Sequence, residues 1–167
     1  YATHINASAV VVQVPLTKRG ELVLVEQYRE PIRRRVLELP AGLAGDSDDP
    51  EEPIEAAAQR ELLEETGYRA GRLTRILSCP SSAGMSDEMI TFFLAEDLER
   101  VGSGGGDDSE DIEVHRVKLE RVDAWLSARL GSGVLLDPKV YAALYWLSRP
   151  EHMAALGSES PGEDPQH

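Results

Sequence analysis

The chain has 167 residues, which favours one domain with room for a real core, and its 41% apolar and 28% charged residues suit a globular fold. A formal net charge of -13 repels naked nucleic acid, itself a polyanion, while small anionic ligands can still bind where metal ions or clustered arginines reverse the sign locally. A membrane-crossing helix needs about 18 or more consecutive apolar residues, and no such run exists.

Tyr1-Ala2-Thr3-His4 lacks a basic segment followed by an apolar one, so a secretory leader is not expected. Ala9 to Val14 is β-branched and apolar and predicts a strand that Pro15 stops. Glu21 to Gln27 predicts a second strand, and Thr17-Lys18-Arg19-Gly20 between them reads as a hairpin turn. Arg33 to Leu39 is a third extended segment, ended by Pro40-Ala41-Gly42 and followed by an acidic loop from Gly45 to Glu52. Its Arg33-Arg34-Arg35 run either draws anions or lines a solvated strand edge.

Pro53 to Thr66 is the clearest helix: proline suits a first helical turn, and Gly67 suits a left-handed terminating residue. Arg72 to Leu77, Met89 to Leu94 and Ile112 to Leu119 predict further strands, and Gly102 to Gly106 a flexible loop. Cys79 is the only cysteine, so no intramolecular disulfide forms; this fits a reducing cytoplasm, and its apolar neighbours suggest a packing role. Val122 to Leu130 and Pro138 to Leu147 read as helices, with Trp125, Tyr145 and Trp146 in core or dimer packing. His4 and His115 read as structural. Residues 1–156 are expected to form a single domain, and 157–167 a disordered polar tail. Strands, one central helix, more strands and two closing helices imply an α+β fold, an α/β/α sandwich.

The central helix is unusually acidic near its end: Arg60-Glu61-Leu62-Leu63-Glu64-Glu65-Thr66-Gly67. Glu61 and Glu65 lie roughly 40° apart on one face. Like charges at this spacing repel by about 0.2–0.5 kcal/mol, and the helix dipole is negative at this end. Either Arg60 and solvent offset the crowding, or a hard divalent cation does.

Glu52, then seven residues, then Arg60-Glu61-Leu62-Leu63-Glu64-Glu65-Thr66-Gly67-Tyr68 resembles the signature box of the Nudix hydrolases. The box glycine is best matched by Gly42, which makes the loop to Glu52 four residues longer than the family's, with the helix spacing intact. Glu26-Gln27-Tyr28-Arg29, Leu37 to Gly42, Ser82 to Glu88 and Asp108 to His115 resemble the ADP-ribose pyrophosphatase branch, so the likeness spans about residues 7 to 145. Ala83 stands where that branch usually has proline, and the branch's N-terminal strand subdomain would precede the first residue of this sequence.

The resemblance implies a Nudix fold, a mixed β-sheet flanked by helices. It implies Mg²⁺ (or Mn²⁺) held by Glu61, Glu65 and the main-chain carbonyl of Ala41, with Glu64 in support and Glu110 as a third acid from a distant loop. Asp108 or Glu110 would be the general base, and the loop from Gly102 to Asp108 could carry an acid over the substrate. Arg60 would hold the box glutamates in place. Arg29 would contact substrate phosphate, and Glu88 would lie near the terminal ribose. The implied activity is hydrolysis of the pyrophosphate of a nucleoside diphosphate sugar, ADP-ribose before GDP-mannose, another such sugar or a nucleoside triphosphate. A homodimer is implied as well. The other reading is a ligand-sensing Nudix domain without turnover, although no box carboxylate is missing.

Overall fold

The computed structural model describes residues 9–45, 49, 51–106 and 111–157. Its β-structure falls into two four-stranded sheets. In the first, β1 (Ala9–Pro15) lies between β4 (Ala41–Ala44), which it pairs antiparallel, and β6 (Met89–Arg100), which it pairs parallel; β5 (Tyr68–Pro80) borders β6. In the second, β2 (Glu21–Arg29) lies between β7 (Ile112–Lys118) and β3 (Arg34–Glu38), and the two-residue β8 (Leu135–Leu136) borders β3. A 3₁₀ turn, Glu30–Ile32, joins β2 to β3.

β1 and β2 do not form the expected hairpin. The turn exists, closed by the Gly20 N–H on the Thr17 carbonyl at 2.9 Å and by one antiparallel bridge, Leu16 with Leu22. Beyond that bridge the strands part, because both edges of β1 are already occupied by β4 and β6.

Alternation along β1 sorts its side chains into two cores. Val12 and Val14 face a large cluster with Leu22, Leu24, Leu37 and Phe92, closed by Val122 and Leu126 of α2 (Val122–Gly131) and Val140 and Ala143 of α3 (Pro138–Leu147). Val11 faces the other way, onto Phe93 and onto Ala57 and Ala58 of α1 (Ile54–Thr66). Helices therefore cover both sides, and the expected α/β/α layering holds. Trp125, Trp146 and Cys79 are partly buried against the large core, as their packing reading requires, whereas Tyr145 is exposed with Arg149 over its ring.

Two strands and one α-helix were not foreseen: β4, β8 and a final helix α4 (Pro150–Gly157). The predicted 72–77 strand grows to the full length of β5, whose mostly exposed edge residues hide the alternation that marks a strand. His4 and the expected tail beyond Gly157 lie outside the described residues.

The position of α1 is fixed by packing and by one amide clamp. Leu62 is fully buried with Val23 of β2, Tyr68 and Ala70 of β5, and Ala95 of β6. The Gln59 side chain both donates to the Ala70 carbonyl at 2.7 Å and accepts the Ala70 N–H at 3.0 Å. Truncating Leu62 leaves a cavity under the acidic turn, so Leu62→Ala is expected to cost about 2–5 kcal/mol in urea denaturation; a cost near zero would show that α1 is not seated there.

Candidate active site on the acidic helix

Thr66 ends α1, and Gly67 takes the left-handed conformation expected of it (φ 75°), its N–H donating to the Leu63 carbonyl at 2.8 Å. The last turns therefore carry Glu61 and Glu65 towards β4, with Glu64 half-exposed beside Arg60. Glu65 is buried, at 4% exposure, and one of its carboxylate oxygens accepts the Ala41 N–H at 3.2 Å. Glu61 lies against Gly42 so closely that a Cβ there would fall 2.0 Å from the carboxyl carbon. This explains why glycine is needed at the position matched to the box: a side chain would expel Glu61.

Arg60 threads the remaining acids together. Its Nε and Nη2 donate to the two oxygens of Glu52 at 2.9 and 3.0 Å. Its Nη1 donates to Glu61 at 2.7 Å and to Glu64 at 3.3 Å, and Nη2 also reaches the Leu43 carbonyl at 3.2 Å. The hydrogen bonds to Glu52, with the charge of Glu61 beside them, outweigh burial and push the guanidinium's pKa up, so it stays charged at any working pH. Arg60 thus organises the acids without neutralising them. Glu52, Glu61, Glu64 and Glu65 are four carboxylates against one guanidinium, a formal balance of −3 for this group. Hard oxygen donors converging on the Ala41–Gly42 backbone with excess negative charge fit a divalent cation.

The other candidate residues are placed less closely. Arg29 stands at the exposed end of β2, on the face that Val23 shares by alternation. Its Nε donates to Glu38 at 2.8 Å, in the strand-end pair that is the plainer account of this residue. Glu88 is half-buried at the foot of β6; its N–H donates to Ser86 Oγ at 3.1 Å, and its carbonyl accepts the Ser81 N–H at 3.0 Å. Asp108 and Glu110 lie outside the described residues.

A second acidic group sits on the opposite face of the β2 sheet, where sequence reasoning placed nothing. Ligand atoms of Glu26, Glu113 and His115 lie within 4.8 Å of one another, a spacing a metal could use. Glu26, however, is already engaged by cations. Arg35 Nε donates to its Oε1 at 2.8 Å, and Arg129 Nη2 donates to its Oε2. His115 Nε2 lies 3.2 Å from the same Oε2, with its ring against Trp125. Arg35 also holds Asp111 at 2.9 Å, so this member of the arginine run is a structural pin between β2, β3 and the start of β7. Burial tends to raise the Glu26 pKa, but the hydrogen bonds from Arg129 and Arg35 outweigh it and hold the carboxylate below its usual range.

The sequence and the fold are matched by known proteins. The family model described as NUDIX domain matches residues 5–136. The chain belongs to the Nudix family. The ADP-ribose pyrophosphatase of Bacillus subtilis (strain 168) is 35% identical over 87% of this chain and 75% of its own length. The GDP-mannose pyrophosphatase of Salmonella arizonae is 40% identical over 81% of this chain and 68% of its own. A crystal structure of an ADP compounds hydrolase superposes with a TM-score of 0.69 at 24% identity, over 90% of this chain and 75% of that one, and so shares the fold. The expected Nudix fold and family membership are borne out, and the helix that sequence reasoning singled out is the one carrying the box.

The Glu26 cluster has a pH signature. A carboxylate whose folded pKa is depressed adds stability above its ordinary value, near 4.5, and that contribution fades as pH falls through the folded value. Urea titrations of wild type and Glu26→Gln are expected to differ most at neutral pH and to converge below pH 4.5; a gap that widens on acidification would contradict the assignment.

Proposed function

We propose that this Nudix protein hydrolyses the pyrophosphate bond of a nucleoside diphosphate sugar with Mg²⁺, giving a nucleoside monophosphate and a sugar phosphate. The observation that carries the reading is the charge excess of the α1 acids set against the Ala41–Gly42 backbone. Glu61, Glu65 and the Ala41 carbonyl would hold the cation, with Glu64 in support and Glu110 as a further acid. Bound there, a divalent cation neutralises pyrophosphate oxygens and lowers the pKa of a bound water.

The protein's own residues would do the rest. Arg60 keeps Glu61 and Glu64 aimed through charge-assisted hydrogen bonds. The Arg29 guanidinium offers a planar fork to a phosphate, exchanging its Glu38 partner for the substrate. Glu88 accepts from a ribose hydroxyl. Asp108 or Glu110 takes the proton of the attacking water as its oxygen bonds to phosphorus and the bridging P–O bond breaks. The retained set of box carboxylates supports turnover over ligand sensing.

ADP-ribose is the favoured substrate, on the flanking motifs and the B. subtilis relative's name. GDP-mannose is the second reading, because the relatives named for it reach 38–40% identity. The proposal includes a homodimer, on the branch resemblance, and a reducing cytoplasmic setting, on the lone Cys79.

The test sets ADP-ribose and GDP-mannose side by side with Mg²⁺ and scores AMP and GMP release. Glu65→Gln is expected to stay folded and lose on the order of 100-fold or more in turnover, the scale of removing one charge-stabilising group from an active site. Intact substrates with the wild-type protein, across a wider diphosphate panel, would sink the catalytic reading.

A further inference from the structure

The final turn of a helix ordinarily leaves its carbonyls without N–H partners, and these carry the negative end of the helix dipole. In α1 that end coincides with Glu64 and Glu65, so the dipole adds to a crowding that already needs offsetting. The connection after β6 meets this end directly. The Gly105 N–H donates to the Glu65 carbonyl at 2.8 Å, and the Gly106 N–H donates to the Glu64 carbonyl at 3.0 Å. The Val101 and Gly102 N–H groups both donate to the Gly67 carbonyl, at 2.9 and 3.1 Å. Instead of the flexible loop expected from its composition, this stretch is a belt of backbone donors tied under the acidic turn.

Only glycine can make that approach. A Cβ on Gly104 would lie 2.4 Å from the Thr66 carbonyl carbon and 2.8 Å from the Glu65 carbonyl oxygen. A Cβ on Gly67 would lie 2.3 Å from the Gly102 carbonyl oxygen. These neighbours are backbone and cannot swing aside. Gly104, Gly105 and Gly106 also all take positive φ, at 70°, 107° and 76°, which disfavours side-chain-bearing residues.

We infer that the glycines at 104–106 are positioning residues for the cation site on α1. The Gly105 and Gly106 amides complete the hydrogen bonding of the Glu65 and Glu64 carbonyls and place fixed positive partial charge under the two acids, while the close approach at Gly104 sets how far the last turn extends towards Ala41 and Gly42. The inference rests on the reading that these acids bind a divalent cation, and it adds that the belt determines how well they do so. Outer-shell groups that orient metal ligands commonly contribute about 10- to 100-fold in metal affinity.

The test is calorimetric titration of Mn²⁺ into the full chain without substrate, comparing wild type, Gly104→Ala, Gly20→Ala and Glu65→Gln, with thermal melts of each. Gly20 is a matched control: it has the same φ of 70°, but nothing lies within 4 Å of an added Cβ. Gly104→Ala is expected to weaken Mn²⁺ binding by about 10-fold or more, and Gly20→Ala to stay within about twofold, because backbone strain alone does not reach α1. Equal weakening in the two alanine variants, or none in Gly104→Ala, would overturn the inference. Should Gly104→Ala not fold, amide exchange of the wild type decides: protected Gly105 and Gly106 amides that slow further with Mg²⁺ support the belt, and exchange unaffected by Mg²⁺ overturns it. A Glu65→Gln variant that binds Mn²⁺ as tightly as wild type would instead remove the α1 cation site itself.

Discussion

Mutual repulsion among carboxylates on one helical wall is the constraint around which this structure is arranged. Glu61 and Glu65 are drawn out of water against β4, where Glu65 is nearly fully buried and Glu61 lies on a glycine. Exposed like charges at this spacing cost only about 0.2–0.5 kcal/mol, but burial raises the penalty, and the local offsets are correspondingly strong. The Ala41 N–H, the Arg60 guanidinium and the glycine belt each give the acidic turn a hydrogen bond or a partial positive charge. None of them removes the net charge, which is what a cation site requires.

The scaffold supplies rigidity in proportion. α1 is seated by Ala57 and Ala58 on one core and Leu62 on another, and Gln59 clamps it to the Ala70 backbone. Behind the second sheet, Glu26 gathers Arg35, Arg129 and His115, joining β2, β3, β7 and α2 through one buried carboxylate. The two acidic groups illustrate a division of labour set by counter-charge. Where two guanidiniums meet one buried carboxylate, the result is a structural pin. Where one guanidinium bridges Glu52, Glu61 and Glu64 beside Glu65, the excess of acid is the feature on which the proposed cation site rests.

What could be read from the sequence follows from where the physics is local. The helix from residue 54 to 66 was legible because its proline, its terminal glycine and its acid spacing are all encoded within a few turns. So were β1 and β2, as β-branched apolar runs. The partition of those two strands into separate sheets was not legible, since it depends on β4 and β6 occupying both edges of β1. β4 itself, Ala-Gly-Leu-Ala, has no strand signature and exists because β1 offers it an edge. Arg35 looked like part of a basic patch, and only the register of β3 against β2 brings it to Glu26. The glycine run looked like flexibility because its partners, the carbonyls of Glu64 and Glu65, lie some forty positions earlier in the chain.

In the proposed function, the wall formed by Glu61 and Glu65 grips a divalent cation beside the Ala41 carbonyl. Crystals grown with Mn²⁺ and a non-hydrolysable nucleoside diphosphate sugar analogue allow this to be seen directly by anomalous scattering. A cation gripped there gives a strong peak within oxygen-ligand distance of Glu61, Glu65 and the Ala41 main chain. A clean map at that position, with the analogue bound and manganese found elsewhere or nowhere, would contradict it.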